Sequence, residues 1–160
     1  MSKQEQDPMR ILLIGLLVVP LAGCAQGVQP AAEPPFKPVA SVLDIMESLV
    51  GHMATDVFAS VGTVIDEKGT TEIVPKDDEA WAEVRFAAMG LAETGNLLMF
   101  PTRARDQEDW LRFSQQLVDR SVEAAKAAEA KDPAALLDAG GRIYEACTAC
   151  HMKYIPPDPQ

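Results

Sequence analysis

Cys147-Thr148-Ala149-Cys150-His151 is a stretch of five residues near the end of a 160-residue chain, and only nine residues follow it. Its two thiols are three positions apart, so on a helix they lie on nearly the same face and can react with one shared ligand. The imidazole of His151 follows directly and can reach a metal held beside the thiols. The spacing therefore places two sulfur atoms and one nitrogen donor together on a single helix.

Three kinds of site contain two cysteines at this spacing, and the rest of the chain distinguishes between them. A thioredoxin-like redox pair belongs to a βαβ unit, whereas the surrounding sequence has a helical pattern. A zinc site needs two further soft ligands, and only Cys24 and His52 remain. Cys-x-x-Cys-His is the attachment signature of a c-type haem. We therefore predict one covalent haem c, bound through Cys147 and Cys150, with His151 as an axial ligand of the iron.

The first 23 residues have the features of an export signal. An apolar run begins at Ile11 and continues for about thirteen residues, too short to span a bilayer but typical of a signal-peptide core. Leu21-Ala22-Gly23-Cys24 resembles the lipobox of bacterial lipoproteins, which implies cleavage before Cys24 and acylation of that cysteine. The alternative is ordinary cleavage near Ala25, which leaves a soluble protein. We expect a lipoprotein that is anchored on a membrane and faces the periplasm.

The chain is predicted to have three parts: the signal peptide over 1–23, the lipidated cysteine and its tether over 24–38, and a haem-binding domain over 39–160. The tether is rich in proline and poor in bulky apolar residues. The whole chain has 14 basic and 24 acidic residues. The signal contains two of each, so the net charge stays at −10 after cleavage. This acidity argues against nucleic acid as a partner and favours a redox partner protein with a basic patch, although it also serves solubility.

Apolar residues recur every three or four positions in four stretches after residue 39, which predicts four amphipathic helices. The first should begin with Pro38 in its first turn and continue for about 20–25 residues. Its expected core stripe consists of Val42, Met46, Leu49, Met53, Val57, Val61 and Val64. Residues 65–75 should form a loop, or at most a small hairpin.

The second helix should start near Asp77, the third after a cap at Asp106, and the fourth at Asp132-Pro133. Gly140-Gly141 in the fourth should give room to a close neighbour, such as another helix or the haem edge. Four such helices predict an all-α fold, an antiparallel up-and-down four-helix bundle with the haem on the C-terminal helix. The core positions expected in these three helices are Trp81, Val84, Ala88, Leu91, Gly95, Leu98, Trp110, Phe113, Leu117, Ser121, Ala124, Ala128, Leu136, Leu137, Ile143, Tyr144 and Cys147.

A C-terminal Cys-x-x-Cys-His-x-x-Tyr on the last of four helices resembles the class II c-type cytochromes, the cytochrome c prime family; the matching residues are Cys147, Cys150, His151 and Tyr154. The resemblance implies a haem inside the bundle and a residue of the first helix on the far side of the iron. Methionine at that position implies six-coordinate iron that transfers electrons, whereas leucine or phenylalanine implies five-coordinate iron that binds NO or CO. The family's basic residue after the tyrosine and its arginine early in the first helix are absent, so the partners of the haem propionates stay unassigned.

Met46 is the expected sixth ligand. In an antiparallel pair, the start of the first helix lies beside the end of the fourth, and Met46 is roughly 12 Å along the first helix against roughly 22 Å for Met53. Met46 also aligns best with the family's ligand position, and Met53 is the runner-up. His52 lies about 120° around the helix from Met46 and should be solvated.

These observations predict an electron-transfer cytochrome rather than an enzyme. The alternative is a five-coordinate protein that binds NO or CO, which would not need Met46. A peroxidase would need a polar residue facing the iron, and Asp44 and Glu47 lie off the apolar stripe. The family resemblance also allows a homodimer, which nothing in the sequence decides.

Overall fold

The computed structural model describes residues 36–155, and this part of the chain is mainly helical. It contains four helices and one antiparallel hairpin. Helix α1 is continuous over residues 42–59 and has three segments: an α-helical Val42–Ile45, a π-helical Met46–Val50 and an α-helical Gly51–Ala59. The other elements are strands β1 (Gly62–Asp66) and β2 (Gly69–Ile73) and helices α2 (Asp78–Leu98), α3 (Asp109–Glu129) and α4 (Pro133–Tyr154).

The predicted signal peptide, Cys24 and all of the tether before Phe36 lie outside the described residues. Within residues 36–155, no helix is long and apolar enough to cross a membrane.

The predicted starts of α2 and α4 are confirmed. The side chain of Asp77 accepts a hydrogen bond from the N–H of Ala80, and that of Asp132 accepts one from the N–H of Ala135. The start predicted for α3 is wrong by two residues. Asp106 lies two residues before the true N-cap, and its carboxylate accepts hydrogen bonds from the backbone of the first turn instead.

Helix α1 is shorter than predicted at both ends. It begins after Ser41, which forms a capping box with Asp44, so Pro38 is not in its first turn. It ends at Ala59, and Val64 of the predicted stripe lies in strand β1. The β-branched run at residues 63–65 favours a strand over another helical turn.

The segment expected to be a loop or small hairpin is a hairpin, and it begins three residues earlier than expected. Strand β1 pairs with β2 from Gly62 opposite Ile73 to Asp66 opposite Gly69, which leaves a two-residue turn. Gly69 has a φ of +124°, a conformation that residues with a Cβ rarely adopt.

The core positions predicted for α2 and α3 are all buried. Those predicted for α4 are correct only in part, because Leu137 and Tyr144 are 57% and 64% exposed. In α1 the predicted stripe is mostly half-buried, and the buried residues are Ile45, Val50, Ala54 and Val57.

Each helix packs against the next one along the chain, and α1 also touches α4. At Gly95 helices α2 and α3 approach closely: an added Cβ would lie 2.9 Å from the carbonyl oxygen of Ser114. At Gly140 the neighbour is the ring of Phe58 on α1, 3.6 Å from the position of an added Cβ. The room predicted at that glycine is therefore taken by another helix.

Candidate functional site

The last two turns of α4 present the cysteine and histidine side chains. Cys147 and Cys150 are half-buried free thiols, whereas His151 is exposed. Burial raises the pKa of both thiols above its usual value, and the proximity of Cys147 raises that of Cys150 further. Both cysteines are therefore half-buried, protonated thiols at neutral pH.

Two adjacent cavities open beside these residues. One has a volume of about 40 Å³ and the other about 260 Å³. Four residues line both: Met46 from α1, Trp110 from α3, and Cys150 and His151 from α4. Cys147 lines the smaller one, together with apolar side chains that include Phe113. The end of α2 also lines the smaller cavity, so the structure brings all four helices together around the motif, with a largely apolar lining.

Met46 and Met53, the two candidate sulfur ligands, have different surroundings. Met46 is half-buried and lines both cavities beside His151. The side chain of Met53 packs against α2 instead, where its Sδ would lie only 2.7 Å from a Cβ added to Gly90. Of the two, only Met46 lines the cavities at the motif.

The π-helical segment of α1 explains this difference. The N–H of Gly51 donates to the carbonyl oxygen of Met46, a bond that spans five residues instead of four. One extra residue in a turn rotates everything after it by about 100° relative to a regular α-helix. Met46 and Met53 are seven residues apart and would share one face of a regular helix; the extra residue separates them. His52, beyond the π segment, is exposed, as predicted.

A polar cluster ties the end of α4 to the start of α3. The Tyr154 hydroxyl donates a hydrogen bond to Asp106, whose carboxylate also accepts from the N–H groups of Glu108 and Trp110, both at 2.9 Å. These three bonds, that from Tyr154 first, lower the pKa of Asp106 to about 2. One residue earlier, Lys153 pairs with Asp109. The turn that contains His151 is therefore held against α3.

Aromatic contacts accompany this cluster. The ring of Tyr154 meets that of Trp110 edge-on, with centroids 5.0 Å apart, and that of Phe113 at 6.4 Å. The indole N–H of Trp110 donates to the carbonyl oxygen of Leu98 at 2.8 Å. Trp110 is thus fixed by packing and by a hydrogen bond while it forms a wall of both cavities.

The loop over residues 99–108 is fixed at a second point by Arg103. This buried side chain donates to the carbonyl oxygens of Ala40 and Leu97, both at 3.1 Å, and its guanidinium lies 5.3 Å from the centre of the Phe100 ring. The ring of Phe36 lies 5.1 Å from the same phenylalanine. The loop therefore joins the start of α1 to the end of α2.

Sequence reasoning placed the motif and Met46 but missed the cavity walls. Trp110 and Phe113 were predicted only as core, and their helical spacing gives no sign that they border a site. Asp106 was predicted as a cap, and its bond to Tyr154 joins residues 48 positions apart. Only the folded arrangement reveals such a pairing.

Within residues 36–155, no group of three or more His, Cys, Asp or Glu side chains is arranged to hold a metal ion. Comparison of the chain with protein-family models, with curated proteins and with solved structures finds no match.

Proposed function

We propose that this protein is a c-type cytochrome of the class II kind, which transfers single electrons through a covalently attached haem. The observation that supports this most is the position of Met46. A thioether from α1 and the imidazole of the Cys-x-x-Cys-His motif on α4 line the same pair of cavities. A methionine that only filled the core would not need to lie beside two cysteines and a histidine.

The residues present fit a haem by their chemistry. Cys147 and Cys150 are free and half-buried on one side of α4, as two thioether links require. His151 and Met46 offer one nitrogen and one sulfur ligand, a pair that raises the potential of haem iron. The bound group would supply a one-electron iron couple. The apolar walls, Trp110 among them, would keep water away from it.

The wider arrangement is part of the same proposal. The four helices form an up-and-down bundle, and sequential packing with a contact between α1 and α4 supports that topology. Acylation of Cys24 holds the domain on a membrane, facing the periplasm, with residues 25–38 as the tether. The lone cysteine after Leu-Ala-Gly supports this anchor.

Covalent haem is the first test. The full-length chain, expressed with a c-type haem maturation system, should stain for haem on a denaturing gel. The double variant Cys147→Ala/Cys150→Ala should not stain, whereas Thr148→Ala, an exposed position between the cysteines, should stain like the wild type. Full staining of the double variant would refute the attachment.

The anchor has its own test. The mature wild-type protein should partition into a detergent phase and have the mass of an acylated chain that begins at Cys24. Cys24→Ser should leave the protein in the aqueous phase or unprocessed, with its haem staining unchanged. An unmodified wild-type chain that begins at Ala25 would contradict lipidation and leave the haem proposal intact.

A further inference from the structure

The larger of the two cavities at the motif has one strongly basic residue in its lining. Arg105 is the only lysine or arginine there, and the other side chains are apolar, aromatic or sulfur-containing apart from His151. Such a lining suits a ligand that is mostly apolar and has an anionic group at its edge. A guanidinium can pair with a carboxylate through two parallel hydrogen bonds.

The position of Arg105 is set by its neighbours in the loop. Two residues earlier, Arg103 is buried and bonded to two backbone carbonyl groups. The next residue, Asp106, is bonded to Tyr154 and to two backbone N–H groups. The loop is therefore held in place on both sides of Arg105, so the backbone of that residue has a fixed position.

The charge of Arg105 has no acidic partner within the part of the chain that the structure describes. The six ion pairs found in residues 36–155 involve Arg112, Arg120, Lys131, Arg142 and Lys153. The nearest carboxylate along the chain, that of Asp106, already accepts three hydrogen bonds. Arg105 is exposed, so it can meet an anionic group at the mouth of the cavity.

We propose that Arg105 binds a propionate carboxylate of the haem. This assignment rests on the proposed function, because it needs a haem in these cavities. Haem has the required chemistry: an apolar ring with two carboxylates at one edge. Arg105 then fills the role of the basic residues that the sequence lacks after Tyr154 and early in α1.

The consequence for the iron is electrostatic. A cation beside the ring disfavours the more positive oxidised state, so removing it should lower the reduction potential. Arg105→Gln should therefore retain covalent haem but have a lower midpoint potential than the wild type. It should also shift the resonance Raman band of propionate bending, which responds to hydrogen bonding of the carboxylate. Arg105→Lys should have a midpoint potential close to that of the wild type, because the positive charge is retained. Its propionate-bending band should still shift, because an ammonium cannot form two parallel hydrogen bonds with a carboxylate.

The matched control is Lys68→Gln. Lys68 is exposed in the turn of the hairpin, which follows the end of α1 that lies about 20 Å along the helix from Met46, so this change removes the same charge far from the motif. At physiological salt a surface charge at that distance is screened, and both readouts should match the wild type.

The outcomes separate the two claims. If Arg105→Gln retains haem but behaves like Lys68→Gln in both potential and Raman spectrum, the Arg105 assignment is wrong and the cytochrome proposal stands. If the wild type and all variants lack covalent haem, the cytochrome proposal fails and the assignment fails with it.

Discussion

The hydroxyl of Tyr154 and the carboxylate of Asp106 form a hydrogen bond between the last residue of α4 and the loop before α3. His151 lies one helical turn before Tyr154, and Arg105 directly precedes Asp106. The bond therefore links the part of α4 that contains the histidine to the part of the loop that contains the cavity's arginine.

Tyr154→Phe should weaken this link while preserving the edge-on contact with Trp110. We expect a lower midpoint of urea unfolding, because the charged acceptor loses its strongest side-chain partner. The control is Tyr144→Phe on the same helix, which should be neutral because that side chain is 64% exposed. Equal midpoints for the two variants would mean that the bond contributes nothing to stability.

The same carboxylate should make stability depend on pH in acid. Its pKa falls from 3.8 to about 2 on folding, so the folded state favours the ionised form. This contribution is fully present above about pH 4 and is lost as the pH falls through about 2. Asp106→Asn should show a smaller loss of stability between about pH 4 and pH 2 than the wild type, measured as urea midpoints across that range. Asp56→Asn, an exposed position on α1, should leave the wild-type slope unchanged.

Substitution of glycine by alanine should change the free energy of unfolding in opposite directions at two positions. In Gly95→Ala the new methyl would lie 2.6 Å from Cγ2 of Val118 and 2.9 Å from a backbone oxygen, so we expect a loss of about 1–3 kcal/mol in the free energy of unfolding. In Gly141→Ala the methyl meets nothing within 4 Å on an exposed helical position, and the gain should be about 0.5–1 kcal/mol. Urea unfolding measures both. A neutral Gly95→Ala would show that α2 and α3 can separate at little cost.

The two methionines of α1 should differ in their effect on the iron spectrum. With Met46 as a ligand, the wild-type protein should be low-spin. Met46→Ala should then give a high-spin spectrum, a lower reduction potential and rapid CO binding to the ferrous form. Met53→Ala should keep the low-spin spectrum and lower only the free energy of unfolding. The loss should be less than the roughly 2–5 kcal/mol of a fully buried methionine, because Met53 is only partly buried.

Two results would change this assignment. A high-spin spectrum in Met53→Ala and a low-spin one in Met46→Ala would exchange the roles of the two residues. A wild-type protein that is already high-spin and binds CO at once would favour the gas-binding function.

Local signals in the sequence were enough to predict α2 and the start of α4. Asp77 and Asp132 are strong caps, and the apolar spacing of α2 is regular from Trp81 to Leu98. Helix α1 was predicted less well. The spacing of its apolar residues was interpreted with 3.6 residues per turn, but the π-helical segment has one extra residue in its turn. The cavity walls could not be predicted at all, since contacts such as Trp110 with Tyr154 depend on how the helices meet. Met46 was nevertheless placed beside the motif from its height along α1.

The extra residue in α1 makes the direction of Met46 depend on how the helix is wound between residues 46 and 51. Deleting the exposed Ser48 would let the turn close as an ordinary α-helix. The N–H of Gly51 would still bond to the carbonyl oxygen of Met46, now four residues away instead of five, so residues 42–46 should keep their orientation relative to 51–59 and Met46 should stay in the cavity. Regular α-helical winding with Ser48 retained would have the opposite effect: Met46 would turn by about 100° relative to residues 51–59 and leave its place beside His151 without a single substitution.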